Sequence, residues 1–348
     1  MTHEESGDDW RSHVGEPNEH NAIDLVRAGE AGRGRDAKTP EQIPPRGWGD
    51  ILWRVFWGIS ENRILSTAGG VAFFALLAIF PGIGAVVSLY GLFSDASTIS
   101  DHTALLGGIL PFGVLDLVVE QIQLVVRQQN DTLGIAFLFG LIIAVVSANS
   151  GMVALFDAFD VVYNEREKRS VLQLYTTTFL FTLAGMVFVM LAIIGLVIIP
   201  LALNFIGLTA TTATLISVLR WPVLFVAIGT SLALLYRYGP SRKDAQWRWV
   251  TWGSVIAAFL WIGASMLFSW YVATFDSYNK VYGSLGAGIG FMVWLWISAV
   301  IVLLGGEVNA EMEHQTARDT TEGRPKPLGS RGATMADHVG KARSNGQA

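Results

Sequence analysis

Six long apolar stretches alternate with polar segments, at about 65–93, 133–156, 175–203, 214–237, 249–275 and 283–309. Each is continuously apolar rather than alternating, and each reaches the ~20 residues a helix needs to cross a ~30 Å hydrocarbon core. The pattern predicts an all-α integral membrane protein, a six-transmembrane-helix bundle over residues 65–312. Two shorter stretches read as interfacial amphipathic helices. In DILWRVFWGISENRI (50–64), Ile51, Val55 and Ile59 fall near Trp53 and Phe56 at helical spacing, which predicts a surface helix within 46–64. LDLVVEQIQLVVRQQ (115–129) gathers Leu115, Val118, Val119, Ile122, Val125 and Val126 on one face, on the opposite side of the bilayer. The polar ends, 1–45 and 313–348, are rich in Gly, Ser, Pro and charge, a composition expected to be disordered.

Loop charges fix the expected orientation. Eight Lys/Arg precede the first span, and three, four and six occupy the second loop, the fourth loop and the C-terminal segment. The first, third and fifth loops carry one each, Arg127, Arg220 and Lys280. Positive charge marks the cytoplasmic side, so both termini are expected to be cytoplasmic.

Composition narrows the chemistry. Only 15% of the 348 residues are charged and 51% are hydrophobic, against about 25% charged in soluble domains. With no cysteine, disulfides, thiol nucleophiles and Cys-based metal sites are excluded. The net charge of −5 offers no basic stripe for nucleic acid. The histidines, His3, His13, His20, His102, His314 and His338, form neither HxH nor HxxxH pairs. No metal site, cofactor or enzymatic activity is expected.

Several polar or irregular features lie inside the apolar stretches. Pro81 in AIFPGIG removes a backbone donor near mid-span, which predicts either a discontinuous helix at a substrate site or a packing kink. Asn149 in SANSG can line a pathway or bond across helices. Asp157, Asp160 and Asn164 share a helical face, as a charged helix end or a cation entrance. Glu307 and Asn309 in LLGGEVNAE close the sixth stretch. Glu307 lies about 24 residues, ~36 Å, along that helix, near the inner edge of the hydrocarbon. A carboxylate held there is a capping group or part of a polar site. Ala68 with Ala72, Ser284 with Gly288 and Gly286 with Gly290 fit small-xxx-small spacing, and Gly283 opens the sixth helix. These small residues read as helix-packing devices, within the bundle or in a homo-oligomer.

AGGVAFFALLAIFPGIGAVVSLYG, ALFDAFDVVYNEREKRS (154–170), LYRYGPSRKDAQWRWVTWGSVIAAFLW (235–261) and YGSLGAGIGFMVWLWISAVIVLLGGEVNAE (282–311) occur in an order and spacing that resemble the YihY/BrkB family of bacterial inner-membrane proteins. The resemblance spans roughly 48–312 and implies six helices. Family members commonly have Asn at the position of Asp160 and Ala at that of Gly306. Some carry a ribonuclease BN label, others a virulence or serum-resistance label. The residues here supply no nuclease ligand set. The expected function is that of a transporter or permease-like protein for a small solute or lipid, in contact with membrane lipid and not nucleic acid. The alternative is a non-transporting membrane scaffold that affects the envelope.

Overall fold

The computed structural model describes residues 19–93, 130–193, 210–274 and 284–343. The 115–129 stretch and Gly283 lie outside them, as do residues 1–18 and 344–348. The secondary structure is helical: α1 (Glu19–Ala28), α2 (Pro45–Glu61), α3 (Ile64–Phe93), α4 (Asn130–Val162), α5 (Val171–Ile193), α6 (Ala210–Tyr238), α7 (Trp247–Thr274), α8 (Ser284–Glu313) and a short α9 (Thr334–Asp337). Four segments among the described residues are long and apolar enough to cross a membrane: Leu138–Val162, Val171–Ala192, Trp247–Tyr271 and Gly288–Glu313. A fifth is added if α2 and the first part of α3, bent by 62°, count as one span.

That bend follows from local chemistry. α2 ends at Asn62, whose N–H returns to the Gly58 carbonyl. Arg63 then takes a left-handed conformation, φ 48°, and its carbonyl accepts the N–H groups of Ser66 and Thr67 to start α3. A non-glycine residue in that region costs about 1–2 kcal/mol, so contacts on both sides must hold the elbow. Pro81 does not break α3: the helix continues through it from Ile64 to Phe93. Of the two readings of Pro81, the unbroken helix favours the packing one, and the sharp bend falls at Asn62–Arg63.

Along the packing order α5 lies on α4, α4 on α3, α3 on α8, α8 on α7, and α7 on α6. Burial is one-sided. In each long helix it ends at Ala72, Ala144, Thr182, Leu232, Ala258 or Ala299; beyond these the described side chains are exposed or half-exposed. The buried ends are the N-terminal ends of α3, α5 and α7 and the C-terminal ends of α4, α6 and α8, so successive helices alternate in direction. Ala68 and Ala72 are buried in this zone. Within this chain a Cβ on Gly288 would meet no described atom within 4 Å, and one on Gly290 would meet only the Phe268 ring, at 3.9 Å. Ser284 and Gly286 open α8, with surroundings outside the described residues.

The chain ends build a cap over these helix ends. Residues 19–45 and 313–343, read as disordered from composition, are folded together. Ala28, Ala317, Leu328 and Val339 form a small core, and Ala37 and Ile43 join Ile51, Val55, Trp249, Val308 and Met312 in a larger one. Full burial of side chains such as Ile51, Trp249 and Met312 contributes about 1.5–3 kcal/mol each. The charges that suggested solvation point inward. Buried Arg35 donates to Glu30 and to the carbonyls of Gln315 and Gly340. Buried Arg331 donates to the carbonyls of Ala317, Arg318, Lys326 and Ala336.

The tightest helix crossing gives a stability test. A Cβ on Gly253 of α7 would fall on the Gly305 carbonyl and the Asn309 side chain, whereas one on Gly263 meets nothing within 4 Å. Gly253→Ala is expected to destabilise by about 1–3 kcal/mol and to lower the thermal midpoint in detergent. Gly263→Ala should leave it within error.

Candidate functional site

The last two turns of α8 carry Glu307, Asn309, Glu311 and Glu313, all buried. At 100° per residue, positions 307 and 311 share one face and 309 and 313 another, about 200° away. The two stripes therefore address different partners.

The first stripe faces α2. Asn62 donates to Glu307 Oε2 at 2.9 Å, and Gly58 leaves the room that the Glu307 carboxylate occupies. Arg54, one turn before Gly58, forms a buried ion pair with Glu311. Its remaining donors reach the Glu311 carbonyl at 3.2 Å, Gln315 Oε1 at 2.7 Å and the Lys341 carbonyl at 2.9 Å. His314 Nδ1 lies 3.4 Å from Glu311. The elbow between α2 and α3 is thus held against the end of α8.

The second stripe faces α7 and the α6–α7 loop. Asn309 Oδ1 accepts the Gly253 N–H at 2.8 Å and Nδ2 donates to the Val250 carbonyl at 3.2 Å. Glu313 receives both Nη groups of Arg242 at 2.8 Å, and the two side chains are fully buried. Thr320 donates to the same carboxylate at 2.8 Å. The Arg242 guanidinium also lies 4.3 Å over the Tyr163 ring. Burying two charges is compensated only by this kind of fork geometry with further hydrogen bonds.

The other sequence candidates do not join this cluster. Asp160 is buried on α4, and its Oδ1 accepts the Ser241 N–H at 2.6 Å, pinning the α6–α7 loop. Its Oδ2 has no partner among the described residues. Asp157 is exposed. Asn164, at φ 51°, ends α4 in a left-handed conformation. Asn149 faces Thr182 of α5 at 3.4 Å. Pro81 is half-buried in α3. A single cavity shared by Pro81, Asn149, Asp157, Glu307 and Asn309 is therefore not formed: Asp157 is outside, and the polar side chains each turn to a different helix. Among the described residues no group of three His, Asp or Glu could hold a metal.

Sequence reasoning missed the donors. Arg54 was legible: with Ile51, Val55 and Gly58 it lies on the apolar stripe of α2, where a lone arginine needs an internal acceptor. Arg242 and Tyr163 carry no comparable signal, because both lie in short turns between helices.

The family model described as virulence factor BrkB matches residues 55–328. A ribonuclease-like protein, YfkH, of Bacillus subtilis is 32% identical over 250 residues, covering 70% of this chain and 88% of that protein. A UPF0761 membrane protein of Alkalilimnicola ehrlichii is 26% identical over 299 residues, 82% of this chain and 64% of the relative. Another, from Vibrio vulnificus CMCP6, is 25% identical over 275 residues, 77% and 85%. No solved structure matches.

The Arg242–Glu313 pair permits a double-mutant cycle. Arg242→Met or Glu313→Leu alone strands a buried charge and is expected to cost about 3–5 kcal/mol. Arg242→Met with Glu313→Leu should cost less than either single change. Unfolding followed by tryptophan fluorescence in detergent measures all three.

Proposed function

This chain belongs to the BrkB virulence-factor family, and on that premise we propose that it is a permease-like protein of the bacterial inner membrane. In this reading α3 to α8 each span the bilayer and both termini are cytoplasmic. The Lys/Arg surplus on the loops of the capped end supports the orientation. The cap then closes the cytoplasmic side. One observation carries the reading: among the described side chains, burial is confined to the capped ends of the helices, and those farther along are exposed or half-exposed. A bundle shut at one face and loosely joined at the other is the plan of a transporter open outward. The substrate is a small solute or lipid. The α8 cluster is bracing in this reading and not the substrate site. No catalytic role is assigned: one relative is named ribonuclease-like, but the residues here offer no ligand set for that chemistry.

The scaffold reading has its own support, because every acidic side chain at the end of α8 already has a partner inside the fold. Thiol labelling separates the two. The chain has no cysteine, so single cysteines can be introduced directly. Ser298 of α8 accepts the Trp261 indole N–H at 2.9 Å, one residue outward from buried Ala299. A membrane-impermeant maleimide added to spheroplasts should label Ser298→Cys but neither Ser254→Cys, buried in α7, nor Lys38→Cys in the cap. Permeabilisation should expose Lys38→Cys. Protection of Ser298→Cys with wild-type thermal stability would favour the scaffold, and labelling of Lys38→Cys in intact spheroplasts would reverse the orientation.

A further inference from the structure

At the rim of the cap a 3-10 turn, Pro40–Gln42, meets the first turn of α2 and the second turn of α7. Three side chains form an open corner there. Trp48 is half-buried and braced against the core of Ile43, Ile51 and Met312. Trp252 is 38% exposed, and its ring lies edge-on to Trp48, centroids 6.2 Å apart at 61°. The Trp252 indole N–H donates to Glu41 Oε1 at 2.8 Å, which fixes an exposed carboxylate beside the rings.

This carboxylate differs from four other acids of the cap. Glu313, Glu311, Asp50 and Glu30 are each paired with an arginine. No cation pairs with Glu41 among the described residues. The Trp252 hydrogen bond holds its carboxyl below the usual carboxylate range, and Arg248 acts in the same direction from farther off. An indole face and a carboxylate together attract a cation. The depth restricts which cation. Trp252 lies in the segment Trp247–Tyr271, which is apolar enough to cross a membrane, so the corner opens at the level where indoles meet lipid headgroups. Exposed Arg248 offers a positive charge near the acid. A ligand with an ammonium and a phosphate a few bonds apart complements both.

We propose that Glu41, Trp48 and Trp252 bind the ammonium of a phosphatidylethanolamine-type lipid headgroup, with Arg248 placed for its phosphate. A primary ammonium suits the carboxylate because it donates hydrogen bonds as well as charge. The site is independent of whether the bundle transports anything.

Native mass spectrometry tests it on the full chain released from nanodiscs of equal phosphatidylethanolamine and phosphatidylglycerol. Wild type should retain the amine lipid about tenfold over the glycerol lipid. Glu41→Gln should abolish the preference with an unchanged thermal midpoint, and Trp48→Leu should weaken it. Glu61→Gln, an exposed acid outside the corner, should keep it. Equal retention of both lipids by wild type, or a preference that survives Glu41→Gln, overturns the proposal. A soluble arm settles the source. If phosphoethanolamine stabilises delipidated protein as strongly as the lipid at equal concentration, the lipid assignment fails.

Discussion

A helix end that buries three carboxylates and an amide must find a donor for each, and the end of α8 meets that demand from several elements in turn. Leaving one such group alone in a low-dielectric interior costs more than most single contacts return. The requirement propagates. Glu311 needs Arg54, which fixes the rotation of α2. Arg54 has donors to spare, and these order Gln315 and Lys341. Glu313 needs Arg242, which fixes the α6–α7 loop, and Thr320 then closes over the same carboxylate. Asn309 sets how closely α7 approaches, because its amide bonds backbone groups that only Gly253 leaves accessible. The cap is a consequence of this hub rather than a separate attachment.

The legible and illegible parts of the sequence divide along the same line. Apolar runs reveal helices because lipid tolerates no unpaired backbone, and the continuous runs correspond to the long helices α3 to α8. The stretch 50–64 contains most of α2 and the elbow after it. The composition of the terminal segments misleads because it counts charges without their direction. Arg35 and Arg331 look like solvated residues in a list, yet each bonds several carbonyls inside the cap. The carbonyl partners of Arg35 are 280 and 305 positions away, and those of Arg331 lie on a local turn. Neither arrangement has a period that a sequence can display. Pro81 is a strong local signal that leaves two outcomes open, and here the surrounding helix absorbs it.

Two kinds of cohesion therefore operate in one chain. At the capped end aromatic and aliphatic side chains make a core of ordinary soluble type, with Phe159, Tyr163, Tyr236 and Leu303 at its centre. Farther along, lipid removes the hydrophobic drive for helices to associate. Among the described residues there, α7 and α8 are joined by side-chain bonds, Trp261 to Ser298 and Trp294 to Ser265 at 3.3 Å, and by the packed rings of Trp261 and Trp294. Among the described side chains, burial is thus concentrated at the capped end.

The hub itself is not uniform. Glu313 is held by a bidentate arginine and a threonine, and Glu311 by an arginine that also binds three other groups of the cap and α8. Glu307 has a single side-chain bond, from Asn62. That residue adjoins Arg63, the left-handed position of the elbow. The acid of the hub with the fewest side-chain bonds thus adjoins a left-handed backbone position. Motion of α3 against α8 would break this bond and the one from the Trp296 indole N–H to the Leu65 carbonyl, 2.8 Å. Rotation of α7 would instead disturb both backbone bonds of Asn309. The side of α8 that faces α7 and the α6–α7 loop is therefore more densely bonded than the side that faces the α2–α3 elbow.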